Sequence, residues 1–124
     1  MQALLSATVM RVSECQTLGI DTADMRRLIN DAKALLRSGN AALAMRTFAE
    51  CDTLARAAKV QHRETYDAIS ETGRLVREAG RGGLDISSFM EALLRAKTAF
   101  AHSSLAEARE IADRVRADLE HLEG

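Results

Sequence analysis

The sequence predicts an all-α protein of five helices, arranged as two three-helix units fused through a long central helix that both share. Three observations carry this. The 124 residues include no proline, and no stretch reads as a strand. An apolar stripe with spacings of three and four runs from Asn40 to Ala79 without a phase break, the pattern of a helix with one face turned to a core. A gapless shift that sets Gly83 on Gly19 lays the second half of the chain on the first.

Composition supports the class. Hydrophobic residues make up 47% of the chain but aromatics only 3%, so the core is built from alanine and aliphatic side chains that let helices approach closely. The 17 basic and 18 acidic residues are interspersed and leave a net charge of −1. No global field draws the chain to nucleic acid or to an acidic membrane surface. No apolar run approaches the roughly 18 residues of a membrane span. The first 12 residues lack the basic start and cleavage site of a signal peptide. Cys15 and Cys51 both fall on apolar faces, as buried free thiols of a reducing compartment do. The expected location is therefore cytoplasmic. A Cys15–Cys51 disulfide is the alternative if the first and third helices are neighbours.

In chain order, Leu5, Val9, Val12 and Cys15 mark the first helix, which ends at Gly19. Asp21 is the expected cap of the second helix, with Met25, Leu28, Ile29, Ala32, Leu35 and Leu36 on its apolar face and Gly39 as its stop. Asn40 caps the third. Its stripe is Ala41, Ala44, Phe48, Cys51, Ala55, Ala58, His62, Tyr66, Ile69, Gly73 and Val76, and no stop comes before Gly80, Gly82 and Gly83. At about 1.5 Å per residue this rod is roughly 60 Å long, beyond the ~30 Å expected across a compact domain of this size, so it needs partners along two lengths of itself or a partner chain. Asp85 caps the fourth helix, which carries Phe89, Met90, Leu93, Ala96 and Phe100. Ser104 and Glu107 form a capping box for the fifth, with Leu105, Ala108, Ala112, Val115, Leu119 and Leu122. Three pairs at i,i+4, Asp52–Arg56, Glu91–Arg95 and Glu110–Arg114, suit exposed helix faces.

The repeat explains the rod. Gly19-Ile20-Asp21 falls on Gly83-Leu84-Asp85, Ala32-Lys33 on Ala96-Lys97, Leu36 on Phe100 and the cap Asn40 on the cap Ser104. Helix boundaries coincide by chance less readily than helix interiors. The first unit is then residues 1–64 and the second 65–124, with the central helix of residues 40–79 closing one and opening the other. This plan resembles that of spectrin repeats, with shorter helices and a coiled-coil character. The competing packing is a compact bundle with the rod bent, and Gly73 is the weakest helix former available for the bend.

The stretch Leu35-Leu36-Arg37-Ser38-Gly39-Asn40-Ala41-Ala42-Leu43-Ala44-Met45-Arg46-Thr47-Phe48 resembles the turn inside a tetratricopeptide helical hairpin, in which a glycine precedes a helix carrying alanine and then a bulky residue four positions later. The period and the missing tryptophan, tyrosine and proline depart from that family, so the resemblance reaches only as far as a helical hairpin repeat. It implies a protein-binding scaffold.

The function expected is accordingly non-enzymatic: a helical-repeat module for protein–protein interaction or scaffolding, with a protein partner or self-association and no cofactor. Leu43, Leu54, Val60 and Leu75 lie off the main stripe and either widen the core or mark the partner surface. His62 and Tyr66 lie mid-rod, at the expected junction, and offer a small-ligand site as one alternative. His102 offers another. A surface histidine on a helical bundle resembles the phosphotransfer domains, but the basic residue and glycine that follow their histidine are here Leu105 and Ala106. Gly80-Arg81-Gly82-Gly83 follows no strand and lacks the lysine and hydroxyl of a phosphate loop, so it reads as a turn. Arg74, Arg77 and Arg81 read as a solvated face with Glu78. No CxxC, no histidine pair at i,i+4 and no Glu-x-x-His suggests a metal site.

Overall fold

A computed structural model describes residues Gln2–Glu123, and these form five α-helices and no strand. The helices are α1 (Gln2–Thr17), α2 (Ala23–Arg37), α3 (Ala41–Arg81), α4 (Ser87–Ala101) and α5 (Leu105–Glu123). α3 is a single helix of 41 residues, unbroken through Gly73. Its start is fixed by Asn40, whose Oδ1 accepts from the Leu43 amide at 3.3 Å.

Asp21 and Asp85 act one position earlier than a cap. The N-cap residues are Thr22 and Ile86, and neither makes a side-chain cap bond. Asp21 Oδ1 instead accepts from the Ala23 amide at 3.0 Å, and Asp85 Oδ1 from the Ser87 amide at 3.1 Å. Each carboxylate thus satisfies the first orphan donor of its helix from the preceding turn.

Four helix C-termini close in one way. In α1 the Gly19 amide donates to Gln16 and the Ile20 amide to Cys15; in α2 Gly39 donates to Leu36 and Asn40 to Leu35. In α3 Gly83 donates to Gly80 and Leu84 to Ala79; in α4 Ser103 donates to Phe100 and Ser104 to Ala99. These are Schellman ends, which need a left-handed residue after the cap. Gly19, Gly39 and Gly83 supply it with φ of 83°, 85° and 99°, and Ser103 supplies it with φ of 62°. The α1 end recurs 64 residues on as the α3 end, and the α2 end as the α4 end. α2 and α4 also begin and end at matching positions, as do the starts of α3 and α5. The repeat read from residues is therefore a repeat of backbone.

The chain divides into two compact units, residues 1–60 and 61–124. The first holds α1, α2 and the first part of α3. Its core gathers Val12 and Cys15 from α1, Met25, Ile29 and Ala32 from α2, and Phe48, Cys51 and Ala55 from α3. Two sets of ion pairs tie α1 to α3 beside that core. Asp52 accepts from Arg11 and, at 2.9 Å, from Arg56, while Lys59 pairs with Glu14. The second unit holds the rest of α3 with α4 and α5. It has two clusters, one around Ile69, Ala96, Ala108 and Ala112, the other around Val76, Phe89, Leu93, Val115 and Leu119. Asp52–Arg56 and Glu110–Arg114 pair as their spacing suggests. Among the described residues Glu91 and Arg95 form no such pair.

Candidate functional site

α3 places five residues of the second unit on one face at helical spacing: Tyr66, Ile69, Ser70, Gly73 and Arg77. α4 brings Lys97 and Phe100 against them, one helical turn apart. Together they line an open trough of about 340 Å³. Ile69 and Gly73 form its buried floor, and half-buried Phe100 is one apolar wall. The Phe100 ring meets His62 at 4.6 Å between centroids with the planes tilted by 42°, and Tyr66 at 6.1 Å. His62 is half-buried in this stack, and Tyr66 is 58% exposed. The two residues singled out in mid-rod thus share an aromatic partner that the rod itself does not provide.

Charge around the trough is one-sided. Its lining holds Arg77 and Lys97 and no carboxylate. Neither cation forms an ion pair among the described residues. The neighbouring Arg74 differs, because it is held by Glu71 at 2.5 Å and Glu78 at 2.6 Å. Those carboxylates raise the Arg74 pKa, and the Arg74 hydrogen bond lowers that of Glu71. The basic cluster of the sequence therefore splits into a neutralised member, Arg74, and two unpaired ones, Arg77 and Arg81.

Gly73 opens the trough. It is buried in mid-helix, and a Cβ built there meets only the Arg77 guanidinium, at 3.3 Å. The matching residue of the first unit is Val9, 39% exposed, and Arg77 is matched by Ser13. The shifted alignment pairs Gly73 with Val9, so this difference was available to sequence reasoning. The contribution of Phe100 and Lys97 was not, because it depends on how α4 docks.

The off-stripe leucines separate into two groups. Leu43, Leu54 and Val60 are 42%, 40% and 56% exposed. Leu75 is half-buried and packs against the Val76 cluster, where it occupies the place of Arg11 in the first unit. It widens a core. His102 is the exposed C-cap of α4, its amide donating to Thr98 at 3.1 Å. Leu105 and Ala106 belong to the next helix, so the phosphotransfer pattern finds no continuous helix here. Gly80 serves packing, since a Cβ there would come within 2.8 Å of Ile86 Cδ1. Cys15 and Cys51 are fully buried free thiols, and burial raises both pKa values. Cys15 Sγ donates to the Ala55 carbonyl at 3.5 Å and Cys51 Sγ to the Met25 carbonyl at 3.3 Å. Among the described residues no three His, Cys, Asp or Glu side chains converge as a metal site would require, and no helix is long and apolar enough to cross a membrane.

No protein-family model, curated protein or solved structure matches the chain. The likeness of residues 35–48 to a tetratricopeptide turn rests on those residues alone.

Proposed function

We propose that this protein is a non-enzymatic interaction module, two fused three-helix units of spectrin-like plan that bind a protein partner through helix faces. The observation that carries the reading is the set of large apolar side chains left outside the core of a repeat scaffold. Leu43 and Leu54 lie on one flank of α3, each at least 40% exposed, and the equivalent positions of the second unit are Glu107 and Asp118. A position that the same backbone fills with a carboxylate does not need leucine for folding. Large apolar side chains held out of the core on one helix flank suit a partner-binding face.

The test compares the native chain with the Leu43→Asp, Leu54→Asp variant by light scattering and by pull-down from a native lysate. Self-association or partner capture that the variant loses, at unchanged helicity, supports the reading. An inert monomer that retains no partner counts against it.

A further inference from the structure

We infer that the trough between α3 and α4 of the second unit is a docking site for an acidic peptide segment that anchors itself with a bulky apolar side chain. The inference rests on the interaction-module reading and names a partner chemistry for one face of it. Three observations lead there. First, the trough is a departure from the plan of the fold. The two units share helix ends and turns residue for residue, yet the first has Val9 and Ser13 where the second has Gly73 and Arg77. Glycine inside a helix costs about 1 kcal/mol relative to alanine, and the missing Cβ of buried Gly73 leaves a space that only the flexible end of Arg77 approaches, at 3.3 Å.

Second, the trough has a one-sided charge. Arg77 and Lys97 are exposed, lie on opposite walls and lack carboxylate partners. The grooves elsewhere in this unit mix signs. One is lined by Arg95 and Arg114 with Glu107, Glu110 and Asp118, another by Arg109 and Arg116 with Glu64, Asp67, Glu71 and Asp113. Only the trough lacks internal compensation among these, and an acidic segment supplies it.

Third, its form suits a chain segment better than a small molecule. It follows α3 from Tyr66 to Arg77, about 16 Å at 1.5 Å per residue, and it is partly open to solvent. A small-molecule site encloses most of its ligand; a groove with an apolar floor and charged rims receives a side-chain anchor from a segment lying along it. Ile69, Gly73 and Phe100 take the anchor, and Arg77 and Lys97 take carboxylates flanking it.

Selection from a displayed library of random peptides of about 12 residues, roughly three helical turns, against the full native chain tests this. The expected binders combine Asp or Glu with a neighbouring Leu, Phe or Trp. Arg77→Glu and Lys97→Glu, exposed changes that leave the circular dichroism unchanged, each weaken them by about tenfold or more. Gly73→Val, the side chain already present at the matching place in the first unit, abolishes binding by filling the floor. Recovery of no binders, of binders without acidic enrichment, or of binders indifferent to Gly73→Val and to both charge reversals overturns the inference. Binders that are lost in the Leu43→Asp, Leu54→Asp variant but kept in the trough variants also overturn it, while leaving the broader interaction reading standing.

Discussion

Gly39 and Ser103 occupy the same left-handed position in two turns that are otherwise alike. A side chain with a Cβ pays for that conformation by about 1 kcal/mol. Gly39→Ala should therefore lower the unfolding free energy by about 1 kcal/mol, read from the urea denaturation midpoint. Thr8 offers a second residue-scale gain. Its hydroxyl is fully buried and has no hydrogen-bond partner, so Thr8→Val should stabilise by about 1 kcal/mol, a loss instead revealing a bonded hydroxyl. Asp52 sets an acid limit. Burial raises its pKa, but the hydrogen bonds from Arg56 and Arg11 outweigh burial and hold it below the ordinary carboxylate range. A depressed folded pKa gives stability that is complete above the unfolded value near about 4 and is lost as pH falls through the folded one. Asp52→Asn should be less stable than the native chain at neutral pH by about 1 kcal/mol, and the gap should close in acid, as pH-dependent denaturation would show.

At the scale of helices, α3 was legible because nothing in Ala41–Arg81 interrupts it. Its stripe keeps phase, it has no proline, and its end is a cluster of glycines. The helix continues without a break through Gly73, since one glycine weakens a helix without ending it. The caps were legible only approximately. Asp21 and Asp85 have the right chemistry, but each serves its helix from one residue outside the N-cap, a distinction that residue type does not encode. The trough was half legible: His62, Tyr66 and Gly73 stood out on α3, whereas Phe100 and Lys97 reach them from α4, and sequence spacing carries no information on that docking. Gly73→Ala belongs to this scale. The new Cβ meets only the flexible end of Arg77, so the gain in helix propensity should prevail and stability should rise by about 1 kcal/mol in thermal or urea unfolding.

At the scale of the molecule, the two units hold separate cores, and α3 is the element common to both. Repeat architectures distribute stability unit by unit. Phe48 is the largest side chain fully buried in the first unit, and truncating it to alanine should cost about 3–5 kcal/mol. Hydrogen exchange should then accelerate in residues 2–60 more than in 61–123, whereas uniform acceleration would show one cooperative block. The matched helix ends have a constructive consequence. Residues 19–82 run from the left-handed glycine of one Schellman end to the residue before its counterpart, Gly83, so they form a cassette. A second copy spliced in after Gly82 meets a junction that the fold already contains. The lengthened chain should gain one α2 and one more long helix at undiminished helicity per residue, and its melting point should rise rather than fall, as in any array given one more internal neighbour.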